Sequence, residues 1–220
     1  MTLNNAILHG FLALALSMLL GSTAFGKTGN DAAPAQQADF GSEAASADAR
    51  YAASRVLAAS DHHGLPFVIV DKKDARMFVF GPDGQLRGAS TVLLGLASGD
   101  HSVPGIGERE LSRILPAERT TPAGRFLSQP GRNLQGEDVV WVKHSEGLAI
   151  HRLRPGSSQE QRAQRLASSS PHDKRISLGC VVVPVAFYQS VVAPVLGKSF
   201  SVVYVLPETV PVQALFGALD

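Results

Sequence analysis

The stretch LPFVIVDKKDARMFVFGPDGQLRGASTVLLG, residues 65–95, contains three short runs of β-branched and aromatic residues, parted by a Lys-Asp turn and then by Pro82-Asp83-Gly84. Runs of this length between turn-forming residues read as consecutive antiparallel strands. Downstream, residues 97–119 are polar and broken by Gly and Pro, and so long a connection is a candidate functional loop. Order resumes at TTPAGRF, residues 120–126, and leads into two more strand candidates, VVWVKHS from Val139 and GLAIHRL from Gly147. Residues 154–174 are again polar, with a short helical piece around Gln159 to Leu166. After Cys180 come VVVP, a helix from Pro184 to about Ala193 ended by Pro194, and a closing strand in SFSVVYVLP. The pattern predicts a mainly β domain with attached helices over residues 66–206, arranged as a sandwich or barrel-like sheet.

Upstream, residues 1–26 hold an apolar run from Phe11 to Leu20 followed by small residues, with Ala24 and Gly26 placed for cleavage before Lys27. This is a secretory signal pattern, too short in its apolar run to span a bilayer, so the mature chain is expected in the periplasm or secreted, with no transmembrane anchor after cleavage. Residues 27–49 have Phe40 as their only large apolar side chain and read as a flexible tether. Residues 50–64 read as a helical lead-in, with Ser46 or Asp48 as N-cap and Gly64 as a stop. The tail, residues 207–220, shows no readable pattern.

Twenty basic against nineteen acidic side chains give a net charge of +1, which argues against a nucleic-acid or membrane-surface binder driven by bulk charge. Cys180 is the only cysteine, so an intrachain disulfide is impossible and stability must come from packing. A free cysteine reads either as a small buried hydrophobe beside Val181 to Val183 or as a reactive group retained in an exported chain. Gly179 before it permits close backbone approach. A thiol of ordinary pKa near 8.5 is only about 3% ionised at pH 7, so a nucleophile needs a proton acceptor or positive potential beside it. A neighbouring histidine would meet both needs and lower the thiol pKa. Of His101, His144, His151 and His172, the one at the end of a strand, His151, is fixed best, and His144 shares some of that merit. Any of them can equally be a structural or surface histidine.

In their order, TTPAGRF, a strand ending in His151, a loop, and RISLGCVVV followed by a short helix resemble the L,D-transpeptidase (YkuD-like) catalytic domain over residues 66–206. Thr121, Pro122, Gly124 and Phe126 match its first element, His151 its base, and Ser177, Gly179 and Cys180 its nucleophile block. The resemblance implies a β-sandwich-like mixed fold and cysteine-dependent acyl transfer on peptidoglycan stem peptides through a thioester, without metal or cofactor. Cys180 would be the nucleophile and His151 the base. Backbone N–H groups at Leu178 and Gly179 would form the oxyanion hole, Ser177 and the Arg152 carbonyl would orient the pair, and Thr121 and Arg175 would contact substrate. The acceptor would be a second stem peptide or a lipoprotein amine, or water if the enzyme is a carboxypeptidase. Carbapenems, which acylate many members of that family, would then acylate Cys180.

The chain departs from the family pattern in three places. Leu178 stands where the block has a histidine, and Val182 where an Arg or Asn is usual. His151 and Cys180 lie 29 positions apart, more than the family norm, so residues 154–174 read as an inserted lid or cap, or as an ordinary solvated loop. Its Arg154, Arg162 and Arg165, with Arg152, Lys174 and Arg175, are candidates to replace the lost anion contact. These departures also admit a catalytically weak cell-wall-binding domain that keeps the fold. A thiol-based redox or structural protein is a third reading.

Overall fold

The computed structural model describes residues 38–217. The expected signal segment 1–26 and the first part of the tether lie outside them. Ten strands follow one helix: α1 at Ala47–Ala58, then β1 at Phe67–Asp71, β2 at Arg76–Phe80, β3 at Leu86–Thr91 and β4 at Leu94–Gly95. After the long loop come β5 at Gly124–Arg132, β6 at Asp138–Lys143 and β7 at Leu148–Arg152, then a helix α2 at Arg162–Ala167, β8 at Arg175–Ser177, β9 at Val181–Val183 and β10 at Ser201–Val205.

Eight strands form one sheet in the order β3-β2-β1-β10-β5-β6-β7-β9, while β4 and β8 make a small parallel pair. The expected meander of residues 65–95 is present as β1, β2 and β3. Leu93, beyond β3, exchanges two backbone hydrogen bonds of 2.8 and 2.9 Å with Val182 of β9, so the first edge folds back to the last strand. The result is a mainly β, nearly closed barrel-like sheet. Its two parallel pairings, β1 with β10 and β7 with β9, join strands far apart in sequence, which no local turn signal could reveal.

Alternation along the strands divides the side chains between two cores. Val68, Val79, Val140, Ile150, Val181 and Val203 point inward and are covered by Tyr188, Val192 and Leu196 of a C-terminal helical stretch. On the outer face, Phe67, Ile69, Phe78, Phe80 and Tyr204 pack against α1. Strands β1 and β10 are therefore buried on both faces. Helix α1 is begun by Ser46, whose hydroxyl accepts the Ala49 N–H. Its buried Ala49, Ala52, Ala53 and Val56 recur at helical spacing and are small enough to seat the helix close to the sheet.

Three expectations from sequence need correction. The tether through residue 49 does not hold over its described part, because Phe40 is 1% exposed and sits edge-on to Phe78 and Phe80 at 4.9 and 5.4 Å. Phe40→Ala should cost about 3 kcal/mol or slightly more, read as a shift in the urea midpoint at constant m-value. The described part of the tail also packs, through Val212 and Phe216. Finally, Pro194 does not end the C-terminal helix. A π turn at Tyr188–Val192 shifts the hydrogen-bond ladder ahead of the proline, and the helix runs on to Leu196.

Candidate active site

Helix α1 covers only one half of the outer sheet face; the other half carries the site. Ile150 of β7 points into the inner core, so His151 points outward. The register pairs Ile150 with Val181 and His151 with Val182. Continued by one residue, it sets Cys180 beside Ala149, on the same outward parity as His151. Both residues line one cavity of about 590 Å³.

The His151 ring is 8% exposed, and its Nδ1 lies 2.8 Å from the Arg152 carbonyl. A carbonyl only accepts, so Nδ1 carries the proton and Nε2 is left as the acceptor. Burial pushes the ring's pKa down from 6.5 to about 4, opposed by the Arg152 carbonyl and reinforced by the positive charges of Arg154 and Arg162. Between those pH values the unfolded chain binds the proton and the folded chain does not, so stability falls as the pH drops from 6.5 toward 4. This one group should contribute a loss of about 3 kcal/mol, which His151→Gln should lack. Urea melts of both proteins at pH 7 and pH 4 measure the difference.

The Cys180 thiol donates to the Gly147 carbonyl at 3.3 Å. Burial pushes its pKa up, although the Ala149 N–H, the Arg154 charge and its own N–H favour the anion. This corrects the expectation of a thiol acidified by its neighbours: the resting pair is a neutral thiol and a neutral imidazole.

The turn carrying the sulfur is braced from behind. The Ser177 hydroxyl donates to the Cys180 carbonyl at 2.7 Å and accepts the Gly179 N–H at 3.1 Å. The Thr121 hydroxyl donates to the Gly179 carbonyl at 2.7 Å and accepts the Gly95 N–H at 2.8 Å. Gly179 has a φ of +138°, and a Cβ there would stand 2.8 Å from the Thr120 carbonyl oxygen, so both conformation and space require glycine. Two expected roles change accordingly. Thr121 is fully buried and holds the turn rather than facing substrate. The Gly179 N–H is already engaged, so it is not a free oxyanion donor.

Arg175 is also corrected. Its guanidinium lies outside the cavity, donating to Glu208 at 2.5 Å and to the Lys72 carbonyl at 3.0 Å. It belongs to a buried charge network that the sequence did not reveal. Lys72, 1% exposed, donates to Asp100 at 2.7 Å, to the Gly99 carbonyl at 2.6 Å and to the Thr121 carbonyl at 3.0 Å. Burial works against the Asp100 carboxylate, but Lys72, the Thr209 hydroxyl and the N–H groups of Glu208 and Thr209 outweigh it and hold the pKa well below the usual range.

Arg109, Arg132, Arg154 and Arg162 line the cavity, and each is ion-paired, with Glu118, Asp138, Glu137 and Glu160 respectively. The 154–174 segment thus supplies two of the four arginines. Lys174 is buried and donates to the Ser170 carbonyl at 3.3 Å, and Arg165 donates to the Asp173 carbonyl at 2.8 Å, so both stitch the segment together instead. Glu137, unremarkable in sequence, draws Arg152 to 3.3 Å and Arg154 to 2.5 Å, and its backbone and carboxylate are bonded to Asn133. It anchors these arginines beside His151 from the β5–β6 hairpin. Among the described residues no group of three His, Cys, Asp or Glu could hold a metal ion, and no helix is long and apolar enough to cross a membrane.

No family model matches the chain, and no curated protein matches its sequence. Among solved structures it is similar to the helical cell shape determining protein Pgp2 from Campylobacter jejuni, at 16% identity and a TM-score of 0.43, over 67% of this chain and 49% of that one. It is similar to an L,D-transpeptidase from Xylanimonas cellulosilytica at 17% identity and a TM-score of 0.38, over 64% of this chain and 60% of the other. An Enterococcus faecium L,D-transpeptidase matches at 18% identity and a TM-score of 0.34, over 64% and 49%. The chain spans about half the length of the first of these structures.

Proposed function

We propose that this protein is a periplasmic or secreted cysteine acyltransferase acting on peptidoglycan stem peptides. The observation that carries the reading is the placement of Cys180 and His151 on one outward sheet face, in one arginine-lined cavity, with the ring tautomer set by the Arg152 carbonyl. The Cys180 thiol turns from Gly147 and passes its proton to His151 Nε2 as the sulfur attacks a peptide carbonyl. The Sγ–C bond forms, the C–N bond breaks, and the imidazolium returns the proton to the departing amine. A ring with a pKa near 4 is a weak base but a strong acid, which favours this second transfer. The thioester is then opened by an incoming amine, from a second stem peptide or a lipoprotein, or by water, regenerating the thiol. With the Gly179 N–H engaged by Ser177, the N–H groups of Cys180 and Leu178 serve the developing oxyanion. Ser177 positions the turn, and the arginines of the cavity receive the carboxylates of the stem peptide.

Mass spectrometry of tetrapeptide-bearing muropeptides incubated with the protein tests the reading. Cross-linked or trimmed product is expected; neither product, beside an active control enzyme, overturns it.

The thiol's raised pKa and its bond to Gly147 favour one other reading, a wall-binding domain with weak catalysis. A carbapenem decides between them: an adduct at Cys180 supports the enzyme, and an unmodified protein that still binds sacculi supports the binding domain.

A further inference from the structure

We propose that the open groove beside the catalytic cavity is a subsite for the glycan strand of the polymer, taking the neutral sugar backbone while the attached stem peptide enters the cavity; this rests on the peptidoglycan reading above. One cross-strand row leads to it. Gln129 pairs with Trp141 and Trp141 with Ala149. Continuing the Ser201–Ser128 register by one residue sets Phe200 beside Gln129, and Cys180 lies beside Ala149 at the other end. At the usual spacing between strands, Phe200 stands about 14 Å from Ala149 along the sheet.

The groove, of about 500 Å³, is floored by Gln129 and Trp141 and flanked by Leu127 and Phe200. Leu127 and Phe200 are 58% and 51% exposed. The indole crosses the neighbouring strand because position 131 is glycine: a Cβ there would meet Trp141 Cδ1 at 2.6 Å. Trp141 and His144 line both the groove and the cavity, so the two adjoin.

The lining of the groove differs from that of the cavity. The cations at the groove, Arg125 and Lys143, are bound to Asp61 at 2.6 Å and Glu146 at 2.5 Å. The groove thus offers aromatic and aliphatic surface with an amide, an imidazole and a hydroxyl, whereas the cavity offers arginines. Exposed ring faces beside neutral hydrogen-bonding groups suit the C–H faces, hydroxyls and acetamides of N-acetylated sugars.

Trp141 is the only tryptophan in the chain and lines both the groove and the cavity, so its fluorescence reports binding at either and the groove variants tell the two apart. Titration with an N-acetylglucosamine hexamer, which carries no peptide, should give a saturable change. Phe200→Ser and Leu127→Ser should each weaken binding about tenfold, as loss of an aromatic or aliphatic anchor does, whereas Val210→Ser, an exposed apolar residue that does not line the groove, should not. Absence of a saturable change, or unchanged affinity in both groove variants, overturns the proposal. So does a concentration-dependent dimer in sedimentation that Phe200→Ser dissolves, which would make the groove an interface between copies. The hexamer carries no stem peptide to acylate Cys180, so this outcome is independent of the stem-peptide assay.

Discussion

Cys180→Ala should lower the turnover of a tetrapeptide substrate by at least about a thousandfold, and His151→Ala by a similar factor, while the double variant loses little more than either alone. The non-additivity follows from the proposed mechanism, in which the thiol and the ring act on one proton. The pH dependence is more diagnostic. The ring stays neutral down to about pH 4 and the thiol's pKa is raised, so no preformed thiolate–imidazolium pair exists at neutrality. As the base is lost only on protonation, the acid limb of the rate should fall near pH 4 to 5, below the 6 to 7 of an ordinary histidine. Alkylation of Cys180 by iodoacetamide should rise only at a pH above that of an ordinary exposed thiol, because burial pushes its pKa up. An alkylation plateau reached below pH 7 would show a preformed thiolate and refute this account of the pair.

Lys72→Met should destabilise the fold by about 3 to 5 kcal/mol, because it strands the Asp100 and Glu208 carboxylates in the interior with only Arg175 to balance them. The loss should change little with added salt, since buried pairs are poorly screened. Lys72→Met with Asp100→Leu should recover part of the loss, as the two residues share one network. Activity should fall as well, through a traceable chain: Lys72 holds the Thr121 carbonyl, and the Thr121 hydroxyl holds the Gly179 carbonyl behind the sulfur. Denaturant midpoints and initial rates on the same samples measure both effects. A Lys72→Met protein within 1 kcal/mol of wild type would remove the network from any structural role.

Strand runs between residues 65 and 95 were readable because each is a short β-branched and aromatic run that ends in turn chemistry. The same holds for β6, β7 and β10. His151 and Cys180 stood out as a strand-end imidazole and a lone thiol behind glycine. Phe40 did not stand out, because its segment is otherwise small and polar and its partners, Phe78 and Phe80, are nearly forty residues away. Arg175 and Thr121 were misassigned for a related reason. A polar side chain near a motif looks the same in sequence whether it faces substrate or braces the turn from behind.

The sequence alone settled the local alphabet of this protein: which segments extend, where they turn, and which two side chains are the candidates for nucleophile and base. Tertiary structure alone decided the parallel pairings of β1 with β10 and β7 with β9, the second of which carries Cys180 to the same face as His151. It also set the charge states, since the low pKa of His151 and the raised pKa of Cys180 arise from burial, a property of the assembled sheet. The physical reason is the same for both. Periodicity and turn preference act over a few residues, whereas register between distant strands and exclusion of water exist only after the chain has closed on itself.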